Sequence, residues 1–138
     1  MARTHDDLML TIMEALSTFF DSLDYPAQRD IAPDVVDNAQ YIVWAVMTSI
    51  PDEAQANYAD DTQGTRVDLQ VRCWAETGLG AMQVYDHVEE EIRDNPLEPS
   101  GWHQIRKAQR TLFRPVRDQD GRHHQVVSEW YITLTRAD

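Results

Sequence analysis

A chain of 138 residues with 42% hydrophobic and 26% charged content is sized for one globular domain around a single core. Twelve basic against 24 acidic residues leave a formal net charge of −12, which argues against basic clusters that grip phosphates. No apolar run approaches the roughly 20 residues of a membrane span, and the lone Cys73 excludes an internal disulfide.

From Thr4 to Leu23 the spacing predicts a helix. Leu8, Ile12, Ala15, Phe19 and Leu23 form its central stripe, with Thr11, Glu14, Thr18 and Asp21 opposite. Asp6 and Asp7 suit the positive end of the helix dipole. Two acids there, and no basic region, do not fit a signal peptide. Met9, Met13, Leu16 and Phe20 widen the apolar face beyond the stripe that packing on a sheet requires. That edge is either buried deeper in the same domain or is a contact with another subunit, and these four are the candidate subunit-contact residues.

Tyr25-Pro26 ends the helix, and Ala27 to Gln40 reads as a long connection without regular pattern. Tyr41 to Ile50 is rich in β-branched and aromatic residues and apolar on both faces at its start, as in a strand covered on both sides. Pro51 closes it. The acidic insert from Asp52 to Gly64 is longer than a hairpin needs. It is expected to be a mobile loop that orders on a partner, with Asp52, Glu53, Tyr58, Asp60 and Asp61 as candidate contacts.

Between Thr65 and Trp74, Val67, Leu69, Val71 and Cys73 alternate with Arg66, Asp68, Gln70 and Arg72, the period of a half-buried strand. Cys73 lies on its apolar face, where an inert, buried thiol is expected. Thr77 can cap a second helix whose stripe is Ala81, Val84, Tyr85, Val88 and Ile92. Asn95-Pro96 stops it. Leu97 to Ser100 is a turn region. Ala108 to Arg114 is a weaker strand, and Pro115 marks it as an edge. Asp118-Gln119-Asp120-Gly121 signals a turn, and Gln125 to Thr135 alternates as the last strand. The order helix, strand, strand, helix, strand, strand predicts a single α+β domain over 1–138. Its sheet would be mostly antiparallel and four-stranded, with two helices packed on one face.

Residues with catalytic chemistry do not converge. His123 and His124, near Asp118 and Asp120, are adjacent on a strand and point to opposite faces, so they read as a solvated turn rather than a metal site. His5, His87 and His103 belong to different elements and read as exposed polar residues. Gly78-Leu79-Gly80 lacks the third glycine of a dinucleotide fingerprint and reads as a tight strand-to-helix turn. Glu89, Glu90 and Glu91 read as a solvated face. No catalytic residue, cofactor or metal is expected.

The strand ending Val71-Arg72-Cys73-Trp74, then Glu76-Thr77-Gly78 and an amphipathic helix, resembles the tail terminator or tail completion proteins of long-tailed, siphovirus-type phages. The N-terminal helix, the strand at Tyr41 to Ile50, the loose insert, the Asp-Gly hairpin and the final strand with Trp130 and Tyr131 extend the resemblance over nearly the whole chain. It implies a structural virion protein of the neck or tail, assembled in the host cytoplasm. Its implied form is a homo-oligomeric, hexameric ring that caps the tail tube protein and joins it to the head-tail connector protein. DNA would pass through without being specifically bound, and no membrane would be involved. Two other readings stay open: another head-tail joining protein of the same assembly, or a small ligand-binding or enzymatic α+β domain.

Overall fold

The computed structural model describes residues 5–29, 40–51, 64–99, 101–117 and 123–136. Helix α1 (His5–Asp21) is followed by strands β1 (Ala27–Arg29), β2 (Tyr41–Pro51) and β3 (Gly64–Ala75), helix α2 (Gly78–Asp94), and strands β4 (Trp102–Arg117) and β5 (His124–Arg136). Among the described residues one mixed sheet holds five strands in the order β1-β2-β3-β5-β4. Neighbours pair antiparallel except β1, which runs parallel to β2 with Ala27 opposite Ile42. The α+β class and the four long strands match the sequence reading, and β1 is an addition to it. Three residues are too few to display an alternating pattern, so this strand is hidden in what reads as a connection. Strand β4 takes the edge expected from Pro115, but it runs for 16 residues. Its ladder is shifted between Gln104 and Arg106, between Gln109 and Thr111, and between Phe113 and Val116. Each shift breaks the two-residue period, which is why only its middle is legible.

One face of the sheet carries the core. Val67, Leu69, Val71 and Cys73 of β3 are fully buried there, with Ile42 and Trp44 of β2 and Val126, Trp130, Ile132 and Leu134 of β5. Ser128 shares that face of β5. Its hydroxyl donates to the Val71 carbonyl at 3.4 Å and accepts from Trp130 Nε1 at 3.1 Å, so the buried oxygen is satisfied. Helix α2 lays Ala81, Val84, Tyr85, Val88 and Ile92 on this face, the stripe read from the sequence. Tyr41, Val43 and Trp74 form a smaller buried cluster apart from that core.

The ends of α2 follow from local chemistry. Thr77 Oγ1 accepts from the Gly80 amide at 2.9 Å, satisfying one of the first-turn donors. Gly80 sits so close to β3 that an added Cβ would lie 3.0 Å from Ala75 Cβ, so a side chain there would press on the strand. At the other end Asn95 is the C-cap. Lys107, reaching over from β4, donates its ammonium to the carbonyls of Ile92 and Arg93. A cation there satisfies terminal carbonyls and opposes the negative end of the helix dipole.

Candidate assembly surfaces

The wide apolar face of α1 is spent mainly inside the chain. Leu16 is 1% and Phe20 0% exposed, and Ile12 is as deeply buried. Phe20 stacks on Trp44 with ring centroids 4.9 Å apart and 13° between planes. Met13 is partly buried against the same core, and the Met9 side chain lies outside the described residues. The axis of burial therefore runs Ile12–Leu16–Phe20, to one side of the stripe expected from the sequence. Ala15, Phe19 and Leu23 are only half-buried. Leu16 and Phe20 are thus core residues, not open surface for a second subunit. Leu10, which the pattern does not single out, is 62% exposed.

A groove of about 370 Å³ lies between α1 and the segment leaving α2. Thr11, Glu14, Ala15, Thr18 and Phe19 line one wall, Pro96 to Pro99 the other. The second wall is held in three ways. Pro96 and Pro99 fix two backbone dihedrals, the Leu97 amide donates to Gln104 Oε1 at 2.8 Å, and the Trp102 amide donates to the Pro99 carbonyl at 2.8 Å. Glu14 and Glu98 are both exposed at this groove.

Strand β4 forms the far edge of the sheet and carries Arg106, Lys107, Arg110, Arg114 and Arg117 with no acid. The net charge averages over this strand, whose sequence concentrates five cations. Lys107 is turned inward to α2, and burial pushes its ammonium below the ordinary value. Gln109 likewise faces α2, donating to the Tyr85 hydroxyl at 2.8 Å. Leu112 and Val116 of the same strand are exposed.

The histidines depart from the solvated turn read in the sequence. His123 is buried, edge-on to the stacked rings of Tyr41 and Trp74 at 6.1 and 6.3 Å. His124 places Nδ1 3.2 Å from the Glu76 carbonyl oxygen. The Asp24 amide donates to His87 Nε2 at 3.3 Å, and Tyr25 packs edge-on to that ring, fastening the chain after α1 onto α2. Cys73 is fully buried, and desolvation drives its thiol far above its ordinary value. A thiol so placed is out of reach of solvent and is not a nucleophile at neutral pH. Among the described residues no group of three or more His, Cys, Asp or Glu stands where it could hold a metal ion. Asp52, Glu53, Tyr58, Asp60 and Asp61 lie outside the described residues.

Structures of known proteins share this architecture. A chain of the virion of a native gene transfer agent particle matches with a TM-score of 0.53 at 10% identity, covering 90% of this chain and 91% of that one. The bacteriophage SPP1 gp17 protein matches at 0.50 and 17% identity, covering 95% and 89%. A third solved chain reaches 0.59 at 16% identity over 99% and 100%. At such identities the likeness is one of fold. None of the curated proteins matches by sequence. The family described as tail completion protein gp17 matches residues 14–134. That span runs from the middle of α1 almost to the end of β5, and the chain belongs to this family.

Proposed function

We propose that this protein is a structural component of a phage-type virion tail, a terminator that closes the tail tube and joins it to the head connector. Copies associate into a ring, taken to have six subunits, seated on the finished tube and leaving a path for DNA. The observation that carries this reading is the family match over residues 14–134. The fold likeness to a chain of a gene transfer agent virion supports the virion setting. Physical features agree with a role made of contacts rather than chemistry. The thiol and the Ser128 hydroxyl are buried within packing, and the described residues include an apolar groove and a long edge strand of basic sequence.

In this reading the 52–63 segment is a joint to a neighbouring subunit or ring. Pro51 and Thr65 are paired across β2 and β3, so a two-residue turn would already close that hairpin. The test is to add the purified protein to tail tubes isolated without it, then measure mass in solution and image the tube ends. A ring at one end of each tube is expected. A protein that stays monomeric with assembled tubes present would refute the proposal.

A further inference from the structure

The helix layer has two unlike ends. At the C-terminal end of α2, Phe19 and Leu97 give the groove its apolar lining, and the carboxylates Glu14 and Glu98 are exposed beside them. At the N-terminal end, Leu79 in the first turn is 73% exposed and Leu112 of β4 is 45% exposed. Register places Leu112 on the helix side, because it pairs with Ser128, whose hydroxyl lies in the core. Strand β4 meets Ile92 and Arg93 at Lys107, and Tyr85 at Gln109. Continuing to Leu112 therefore leads toward the start of α2, where Leu79 sits. The two leucines mark one end of the layer and the groove the other, separated by the 17 residues of α2, about 25 Å at helical rise.

In the chain Leu112 is flanked by Arg110 and Arg114, within a strand that has no acid. An apolar side chain on a strand of basic sequence and an apolar groove beside two carboxylates are complementary in both charge and polarity. Within one copy they are too far apart to meet. Between copies they meet head to tail, the heterologous geometry that closes into a ring when the rotation fits. We propose that the end of one copy bearing Leu79 and Leu112 seats in the next copy's groove, between helix α1 and the segment Pro96 to Pro99. There the basic strand answers Glu14 and Glu98. The proposal rests on the self-association read above and names the surfaces that carry it.

Two double variants test it. L79D/L112D spoils the inserted end, and E14R/E98R spoils the groove. All four residues are exposed, so both variants should keep the wild-type circular dichroism; a variant that does not is replaced by L79Q/L112Q or E14Q/E98Q. Each alone should need at least about 30-fold more protein than wild type to associate on tail tubes, the loss expected for a central contact. A one-to-one mixture retains one intact end and one intact groove, so it should form a dimer by sedimentation and never a ring. Wild-type assembly with both variants assembling equally well would overturn this docking while leaving the ring reading intact. So would variants that fail singly and give no dimer when mixed. A wild-type chain that never associates would remove the ring reading and this docking with it. If L79D/L112D abolishes binding to duplex DNA and leaves assembly untouched, the basic strand serves nucleic acid and the docking is wrong.

Discussion

Phe20 decides how the wide apolar face of α1 is used. Its ring is 0% exposed, stacks on Trp44 at 4.9 Å and meets Phe19 edge-on at 5.0 Å. Replacing it with alanine removes a whole buried ring. Transfer of that surface to water costs roughly 2–3 kcal/mol, and the cavity and lost ring pairing raise the total to about 3–5 kcal/mol. A domain stable by about 5–15 kcal/mol would lose roughly a fifth or more of its margin. With a urea dependence of about 2 kcal/mol per molar, the unfolding midpoint of the monomer should fall by roughly 2 M at unchanged slope. Leu10→Ala, on the exposed side of the same helix, should stay within about 0.5 kcal/mol. Parallel urea titrations by fluorescence and circular dichroism make the comparison. If Phe20→Ala unfolds within roughly 0.3 M of wild type yet fails to associate, the ring is an interface residue and the packing argument is wrong.

Other expectations follow from single contacts. Burial raises the Cys73 thiol far above 9.0, so above about pH 9 the unfolded chain loses a proton that the folded chain keeps. Stability should then fall by up to about 1.4 kcal/mol per pH unit. Tyr85, raised first by burial, adds a second loss of the same sign above about pH 10, whereas the lowered Lys107 works in the opposite sense. The informative quantity is therefore the difference in slope between wild type and Cys73→Ala in urea titrations across this range; equal slopes would refute the assignment. Thr77→Ala should cost about 1 kcal/mol by removing the cap on α2, lowering the melting temperature by roughly 3–5 °C, and Thr77→Ser should restore most of it. Replacing residues 52–64 with Asn-Gly should leave the monomer folded and block assembly on tubes; normal assembly would show the segment to be passive. The isolated protein should not shift duplex DNA in a gel at roughly 20 mM salt, where phosphate contacts are strongest, and micromolar, salt-sensitive binding would show β4 to be a DNA surface.

The parts of the fold legible in the sequence are those where one element has one clean period. Strand β3 alternates without interruption and is paired on both sides, so each apolar position is buried. Helix α2 shows its stripe, its cap and its stop because all three are local. Helix α1 misleads by the width of its stripe. A face with apolar residues over more than half its circumference does not say where its centre lies, and the partner Trp44 from β2 decides it. His123 reads as a turn residue because its neighbours in sequence are polar. Its neighbours in space are Tyr41 and Trp74, from two other strands. The groove is not legible at all, since it depends on where α1 lies relative to the segment Pro96 to Pro99. Strand β4 does carry a signal that its weak alternation obscures: five cations in 16 residues without one acid.

That signal changes what the chain's acidity means. With five positive charges on β4, the formal −12 leaves −17 on the remainder (−12 less +5). Uniformly acidic copies would repel one another at every orientation. Segregated charge removes that constraint, because the Debye length at physiological salt is about 8 Å, so local matches outweigh the distant excess of acid. An exposed edge strand is also a hazard, since its outward amides and carbonyls invite pairing with any other strand. Strand β4 carries the usual defences: Pro115 without an amide hydrogen, three register shifts and a sequence of five cations without an acid. Such an edge rejects an apolar or basic partner strand. It does not reject a carboxylate-lined apolar groove, because the contact there is made by side chains and needs no strand register. The same features that protect the free subunit from random aggregation therefore leave one kind of contact open, with a surface that every other copy of the chain presents.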